Sequence, residues 1–241
     1  MDNVQLFKGD CLEVMKKIPD KSVDMILCDL PFELTDNEWD KIIDFEKMWY
    51  QYNRIIKDNG AIVLFGVEPF SSKIRMSNLN FYKYDWYWEK ARPTGFLNAR
   101  KQPLRNIETI SVFYKKQCTY NPQGVISCKK MTKRSKTGDN WVTTTKNEYI
   151  QTQTNYPKQI IKFNHDKNKL HPTQKPVALL EYLIKTYTNE NEVILDNCMG
   201  SGSTGVACLN TNRKFIGIEL NDEYFVLAKN RIENISKNGQ K

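Results

Sequence analysis

The run V-I-L-D-N-C-M-G-S-G-S-T-G-V-A, Val193 to Ala207, decides how this chain folds. It reads as a short apolar strand, Val193–Leu195, then a tight glycine turn, then a helix over Ser203–Leu209. Gly200 and Gly202 let backbone approach a ligand closely, and Ser203 or Thr204 offers a hydroxyl to cap the helix. A helix N-terminus favours an anionic group, here a phosphate or a carboxylate. About twenty residues further on, a strand over Lys214–Ile218 ends in Glu219, the position of a ribose-binding acid in nucleotide-type folds. The loop lacks G-x-x-x-x-G-K-[ST], which argues against a triphosphate site, and it departs from the longer dinucleotide fingerprint. A glycine turn alone often does no more than turn a corner. The ordered set of strand, Asp196, G-S-G, helix, strand and Glu219 is far more specific.

Outward from this loop the chain alternates strand and helix. Val4–Lys8 is extended and Cys11–Lys17 helical. Val23–Cys28 and Ala61–Gly66 are continuous apolar runs of the kind buried on both faces of a sheet. Asp44–Lys57 has helical spacing, with Asn59-Gly60 as its stop signal. Phe81–Lys90 and Ile107–Tyr114 alternate as a strand pair does. Residues 115–170 are polar, punctuated by Asn121-Pro122, Gly124, Gly138 and Pro157, and offer at most short strands. Helical spacing returns after Pro176, and a last helix covers Asp222–Ile235. Such alternation predicts an α/β fold with a mainly parallel sheet covered on both faces.

Length and charge narrow the partners. A chain of 241 residues with 40% hydrophobic content suits one domain with an inserted lobe. No apolar run reaches membrane-spanning length, and M-D-N-V-Q-L-F-K-G-D has no signal pattern. The net charge is +8. Residues 115–170 hold twelve Lys/Arg against three acids, so this segment is +9 and the remainder −1. That concentration suits a lobe facing a polyanion, or a solvated lysine-rich loop. Six cysteines lack paired spacing, which fits free thiols in a reducing cytosol. Cys118, Cys128, His165 and His171 match no zinc spacing, so no metal is expected.

A second stretch sets the chemistry. D-L-P-F-E-L-T-D-N-E-W-D, Asp29 to Asp40, places a carboxylate, a proline and an aromatic ring where the buried run Val23–Cys28 ends. Alone, Asp29 reads as a turn carboxylate, Phe32 as core and Trp39-Asp40 as a helix-capping staple.

D-N-C-M-G-S-G-S-T resembles the D-P-F-x-G-S-G-T-T loop of amino-methylating DNA methyltransferases, and H-P-T-Q-K-P, His171 to Pro176, is nearly that family's H-P-t-q-K-P. D-L-P-F resembles the catalytic D-P-P-Y, and G-D-C-L-E-V-M the family's G-D-c-l-e. The catalytic motif precedes the cofactor loop, the order of the beta class, and the resemblance covers nearly the whole chain outside 115–170. Leu30 stands for the first proline, Phe32 for tyrosine, and Asn197-Cys198 for Pro-Phe.

The resemblance implies a Rossmann-like class I methyltransferase with a seven-stranded, mainly parallel sheet. It divides the chain into a catalytic half, 1–114, a basic target-recognition insertion, 115–170, and an S-adenosylmethionine-binding half, 171–241. The implied catalytic residues are Asp29, Leu30, Pro31 and Phe32. The implied cofactor-binding set is Asp10, Cys11, Asp29, His171, Thr173, Lys175, Asp196, Asn197, Gly200, Ser201, Gly202, Thr204, Glu219 and Leu220. In it Asp10 lies near the adenine amine, Thr173 and Lys175 reach the methionine carboxylate, and Glu219 holds the ribose. DNA contacts are expected from Lys129, Lys130, Lys133, Arg134, Lys136 and Trp141, with Tyr149, Tyr156 and the Thr/Gln-rich stretch 143–154 near base edges. Double-stranded DNA is the implied partner, a companion restriction endonuclease is admitted, and monomer and homodimer both stay open. The expected location is the cytoplasm, in a bacterial or phage setting.

An exocyclic amine is a poor nucleophile because its lone pair is conjugated with the ring. Asp29 and the Pro31 carbonyl, both accepting its N–H groups, would draw that lone pair outward, with Phe32 stacked on the base. The base must first leave the duplex. None of the six cysteines follows a proline, which removes carbon-5 cytosine transfer through a cysteine nucleophile. In the family, N4-cytosine enzymes usually carry Ser where this chain has Asp29, so adenine N6 is favoured. N4-cytosine transfer and a catalytically impaired DNA-binding homologue are the alternatives.

Overall fold

All six residues of Val23–Cys28 are buried, which only a strand covered on both faces achieves. Met25 and Leu27 face one hydrophobic cluster, and Ile26 and Cys28 face a second. The computed structural model describes residues 3–32, 42–133, 148–166 and 174–238. In chain order the elements are β1 Val4–Lys8, α1 Cys11–Met15, β2 Val23–Cys28, α2 Phe45–Ile55, β3 Ile56–Gly66, α3 Phe70–Ser77, β4 Tyr82–Thr94 and β5 Arg105–Phe113. There follow β6 Ile126–Lys133, β7 Glu148–Thr154, β8 Ile160–Phe163, α4 Val177–Tyr187, β9 Val193–Asp196, α5 Ser203–Asn210, β10 Lys214–Glu219 and α6 Asp222–Asn238.

The chain divides into a larger unit, Met1–Asn121 with Gln159–Lys241, and a smaller one, Pro122–Lys158. The larger unit holds one sheet in the order β1-β10-β9-β2-β3-β5-β4-β8. All its strands run parallel except β5, which is antiparallel to both β3 and β4. Helices α4, α5 and α6 pack on one face through Leu180, Leu183, Val206, Ala207 and Ile232. On the other face α1, α2 and α3 pack through Met15, Trp49, Tyr52, Ile55, Phe70 and Ile74. The expected α/β architecture with helices on both faces is therefore present. Among the described residues no helix is long and apolar enough to cross a membrane.

Two expectations need correction. The sheet has eight strands rather than seven, because β8, from the stretch read as insertion, pairs parallel with β4 through Tyr87↔Ile160 to Lys90↔Phe163. Only one of its four residues, Ile161, is buried, so the apolar periodicity that marks a strand is missing there. The pair Asn59-Gly60 is also not a helix stop: α2 ends at Ile55 and β3 is already running. Between Val23↔Ile56 and Met25↔Ala61 the ladder shifts register. Gly60 lies in that irregularity, where a Cβ would stand 2.8 Å from the Asp24 carbonyl oxygen. Close backbone approach, not helix termination, requires this glycine.

The smaller unit is a two-stranded antiparallel sheet of β6 and β7, from Ile126↔Thr154 to Lys133↔Glu148. The Asn155 side-chain amide donates to the Gly124 carbonyl at 2.7 Å. Lys129, Lys130, Tyr149 and Tyr156 are exposed on it. Arg134, Lys136, Trp141 and residues 143–147 of the stretch 143–154 lie outside the described residues, as does the Lys133 side chain.

Candidate active site

Because β1, β10, β9 and β2 are parallel neighbours, the residues that end them line up along one edge of the sheet. In that order they are Asp10, Glu219, Asp196 and Asp29. The sheet changes winding between β9 and β2: the helix after β9 covers one face, and the helix after β2 covers the other. An open crevice at the carboxyl ends of the strands follows from that topology. Here it is a cavity of ≈ 660 Å³, lined by the ends of all four strands and by Lys90, Glu108, His165 and Lys175. Such a volume suits a ligand of nucleoside size or larger.

The glycine turn forms one end. Gly200 and Gly202 have φ of 50° and 75°, left-handed values that favour glycine. Glu219 Oε2 accepts the Gly200 N–H at 2.8 Å and its Oε1 accepts the Asn221 N–H at 2.8 Å. The Gly9 N–H donates to the Glu219 carbonyl at 3.0 Å, which brings β1 and Asp10 beside it. Asp10 caps α1 by accepting the Leu12 N–H at 2.7 Å. No side chain caps α5. Thr204 instead donates to Asp196 Oδ2 at 2.6 Å, and the Ser203 hydroxyl accepts from Arg231 of α6 at 2.9 Å. Arg231 also donates to the Ser201 carbonyl at 3.2 Å, so the last helix ties down the turn.

Asp196 Oδ1 accepts the Cys198 N–H at 3.1 Å. Burial pushes the Asp196 carboxyl up to about 6, against the hydrogen bonds from Thr204 and Cys198, which favour the charge. In the unfolded chain it titrates near 4. The folded state therefore binds this proton more tightly, and ionising Asp196 works against the fold as pH rises through about 6. Thermal melts of wild type and Asp196→Asn at pH 5 and pH 7 are expected to differ in offset. The offset at pH 5 reports mainly lost hydrogen bonding, and by pH 7 it moves in the variant's favour by about 1 kcal/mol. A pH-independent offset would refute the raised carboxyl.

Asn197 and Cys198, where the family has Pro-Phe, are held differently. The Tyr52 hydroxyl donates to Asn197 Oδ1 at 2.5 Å. Cys198 sits with Cys11 and Cys28, and these thiols are un-ionised: the bond to Cys198, then burial, raises Cys11, and burial raises Cys28 to about 12. Burial also raises Cys208, and Cys118 to about 11. These cysteines act as small apolar groups rather than nucleophiles.

At the other end stands Asp29. Lys175 Nζ donates to Asp29 Oδ2 at 2.5 Å and lies 3.5 Å from Glu108 Oε2. Lys90 Nζ donates to Glu108 Oε1 at 3.1 Å. Two carboxylates and two ammonium groups thus balance in a largely buried row. Burial pushes the Lys175 ammonium down, but Asp29 and Glu108 outweigh it and raise it above its usual range. For Glu108, burial pushes up, while Lys175 and Lys90 prevail and hold it below. Lys175 also lies 5.9 Å from the centre of the Phe32 ring and 5.2 Å from that of Phe65. Phe32 leans on Phe70, with centroids 4.7 Å apart.

The structure gathers Asp10, Cys11, Asp29, Pro31, Phe32, Lys175, Asp196, Asn197, Gly200, Ser201, Thr204, Glu219 and Leu220 around this cavity. Leu30 also borders it, but its side chain is buried in the cluster with Phe70, so it serves packing. Gly202 packs behind the turn, where a Cβ would stand 3.0 Å from that of Ala228. His171 and Thr173 lie outside the described residues. Lys175, expected at a methionine carboxylate, has its ammonium on Asp29 and Glu108. Sequence reading missed Lys90, Glu108 and Arg231. Among the described residues no group of three or more His, Cys, Asp or Glu is placed to hold a metal.

Comparison with known proteins gives a consistent set. A family described as DNA methylase, of the N6/N4 type, matches residues 23–230. The Type II methyltransferase M.HinfI of Haemophilus influenzae is 30% identical over 269 aligned positions, covering 97% of this chain and 69% of that protein. M2.LlaDCHI of Lactococcus lactis subsp. cremoris, also a Type II methyltransferase, is 28% identical, over 96% of this chain and 90% of that one. Among solved structures, the M1.HpyAVI–SAM complex aligns with a TM-score of 0.65 and 29% identity, over 95% of this chain and 99% of that one. The cytosine-N4-specific PvuII DNA methyltransferase reaches a TM-score of 0.67 at 18% identity, over 98% and 90%, a likeness of fold alone.

Proposed function

This chain belongs to the N6/N4 DNA methylase family, and from that premise we propose that it moves a methyl group from S-adenosylmethionine to the N6 amine of adenine in double-stranded DNA. The observation that carries this reading is the shared cavity: Asp29, at the end of β2, opens into the same ≈ 660 Å³ space as the glycine turn.

The residues at the turn fit S-adenosylmethionine. Asp10 and Glu219 place two carboxylates side by side as hydrogen-bond acceptors for an adenosyl group, and Cys11, Met199 and Leu220 add apolar wall. The left-handed Gly200 leaves room, since a Cβ there would meet nothing within 4 Å. When bound, the cofactor supplies an electrophilic methyl on a sulfonium.

The remaining work falls to this chain. Asp29 accepts an N–H of the exocyclic amine, offsets the positive charge that develops on that nitrogen as it takes the methyl from sulfur, and is the base beside the proton that the nitrogen then sheds. Lys175 holds this carboxylate in place and is itself positioned by Glu108. Pro31, without an N–H and with its φ fixed, presents its carbonyl as the second acceptor. Phe32 stacks on the base, a contact worth roughly 1–3 kcal/mol. A duplex hides the amine, so the base is swung out before transfer. Adenine is favoured over cytosine because the motif leads with Asp29 rather than Ser.

Target recognition is assigned to the basic stretch 115–170, whose exposed Lys129 and Lys130 suit DNA phosphates. A companion endonuclease of the same site fits the Type II relatives. The test is transfer of labelled methyl to mixed DNA, followed by nucleoside digestion and sequencing with modified-base detection. N6-methyladenine at one short site is expected. N4-methylcytosine would overturn the choice of base, and unlabelled DNA would overturn the activity.

A further inference from the structure

The hairpin joining β4 to β5 carries two apolar side chains that the fold does not use. Its ladder ends at Thr94↔Arg105, beyond which Gly95 adopts φ 90° and Phe96–Asn98 form a 3₁₀ turn. Asn98 and Ala99 donate back to the Gly95 and Phe96 carbonyls, and Lys101 and Gln102 both donate to that of Asn98. The tip is thus ordered by its own backbone, yet Phe96 is 81% exposed and Leu97 99%. Residues 91–105 contain Arg92, Arg100, Lys101 and Arg105 and no acid. At the base of the hairpin, Thr94 and Arg105 line the cavity that holds Asp29.

A single exposed apolar residue needs no explanation. An adjacent pair on an ordered turn, among four cations and at the rim of the site, asks for a partner that is anionic outside and apolar within. Duplex DNA that has lost one base from its stack is such a partner: phosphates surround a slot between flat base faces. We propose that Phe96 and Leu97 form a wedge that enters the stack as the target base leaves, with Arg92, Arg100, Lys101 and Arg105 on neighbouring phosphates. The proposal rests on the methyl-transfer reading above and adds to it the element that holds the duplex open.

The test compares wild type with Phe96→Ala/Leu97→Ala on two duplexes carrying the site found by modified-base sequencing. One is fully paired and the other has an abasic position opposite the target. Loss of the wedge is expected to lower kcat/KM about 10- to 100-fold on the paired duplex and less than about threefold on the other. The fluorescence rise of 2-aminopurine at the target position is expected to fall in parallel, with the thermal midpoint and cofactor affinity unchanged. Arg100→Ala/Lys101→Ala is expected to reduce the salt slope of DNA binding by about one to two. An equal loss on both duplexes, or none, would overturn the wedge while leaving the transferase reading intact. So would a wild-type dimer that the apolar double variant turns into a monomer with unchanged fluorescence. If wild type labels neither duplex, the transferase reading falls and the wedge with it.

Discussion

Asp29→Ala is expected to reduce methyl transfer on the order of 10³-fold, the loss associated with removing a preorganised partner of a developing charge. The effect falls on kcat more than on KM, because the acceptor matters most once the amine nitrogen begins to bear positive charge. Asp29→Asn keeps an oxygen and the side chain's shape, so its activity separates charge from geometry. Both variants alter the row behind them: without the Asp29 carboxylate, Lys175 and Lys90 share Glu108 alone. Asp29 is the largest influence raising the Lys175 ammonium, so that ammonium releases its proton more readily in either variant. Single-turnover transfer of labelled methyl at saturating cofactor is the measurement. Activity within about tenfold of wild type in Asp29→Ala would remove Asp29 from the mechanism.

Lys175→Met is expected to be the most damaging change to the fold at this site. The Lys175 side chain is 9% exposed and stands between Asp29 and Glu108, at 23% and 15%. Its removal takes the ammonium from between two largely buried carboxylates, while Lys90 remains on Glu108. Breaking a buried pair from one side typically destabilises by about 3–5 kcal/mol. For a chain of this size that is roughly 6–20 °C in melting midpoint. The sign with pH follows from the same charges. Without Lys175, burial raises the carboxyls in the folded state above their unfolded values, so the folded state takes up protons more readily. The penalty is therefore greatest near pH 7 and above, and it shrinks as pH falls toward 5. Asp29→Asn/Lys175→Met is expected to lose less than the sum of its single changes, because the two groups form one pair. A penalty under about 1 kcal/mol, or one flat with pH, would contradict this assignment.

Much of this architecture is legible in the sequence because it is written in short-range chemistry. The continuous apolar run of β2, the glycine turn and the end of β10 at Glu219 each signal locally. Order along the chain then places their ends on one sheet edge. Lys90 and Glu108 were harder to see, since neither belongs to a motif. The signal is one of phase: Lys90 continues the face of Trp86 and Trp88, and Glu108 that of Ile110 and Val112. A charged residue in step with buried neighbours on a strand marks a polar site inside the core. Arg231 gave no such hint, because a basic residue on a terminal helix ordinarily meets water. The strand β8 was missed because edge pairing needs few buried residues, and Asn59-Gly60 misled because glycine serves close approach as well as helix ends.

The pairing of Asp29 with Lys175, and of Glu108 with Lys90, has a consequence for what else enters the chamber. Bare acidic pockets beside nucleic acid collect magnesium and polyamines, which compete for the same oxygen atoms. A row whose charges already cancel offers such cations little net pull, while a neutral heterocycle bearing an NH₂ still finds an acceptor. At the Asp29 end of the chamber stray ions are thereby disfavoured before any substrate arrives.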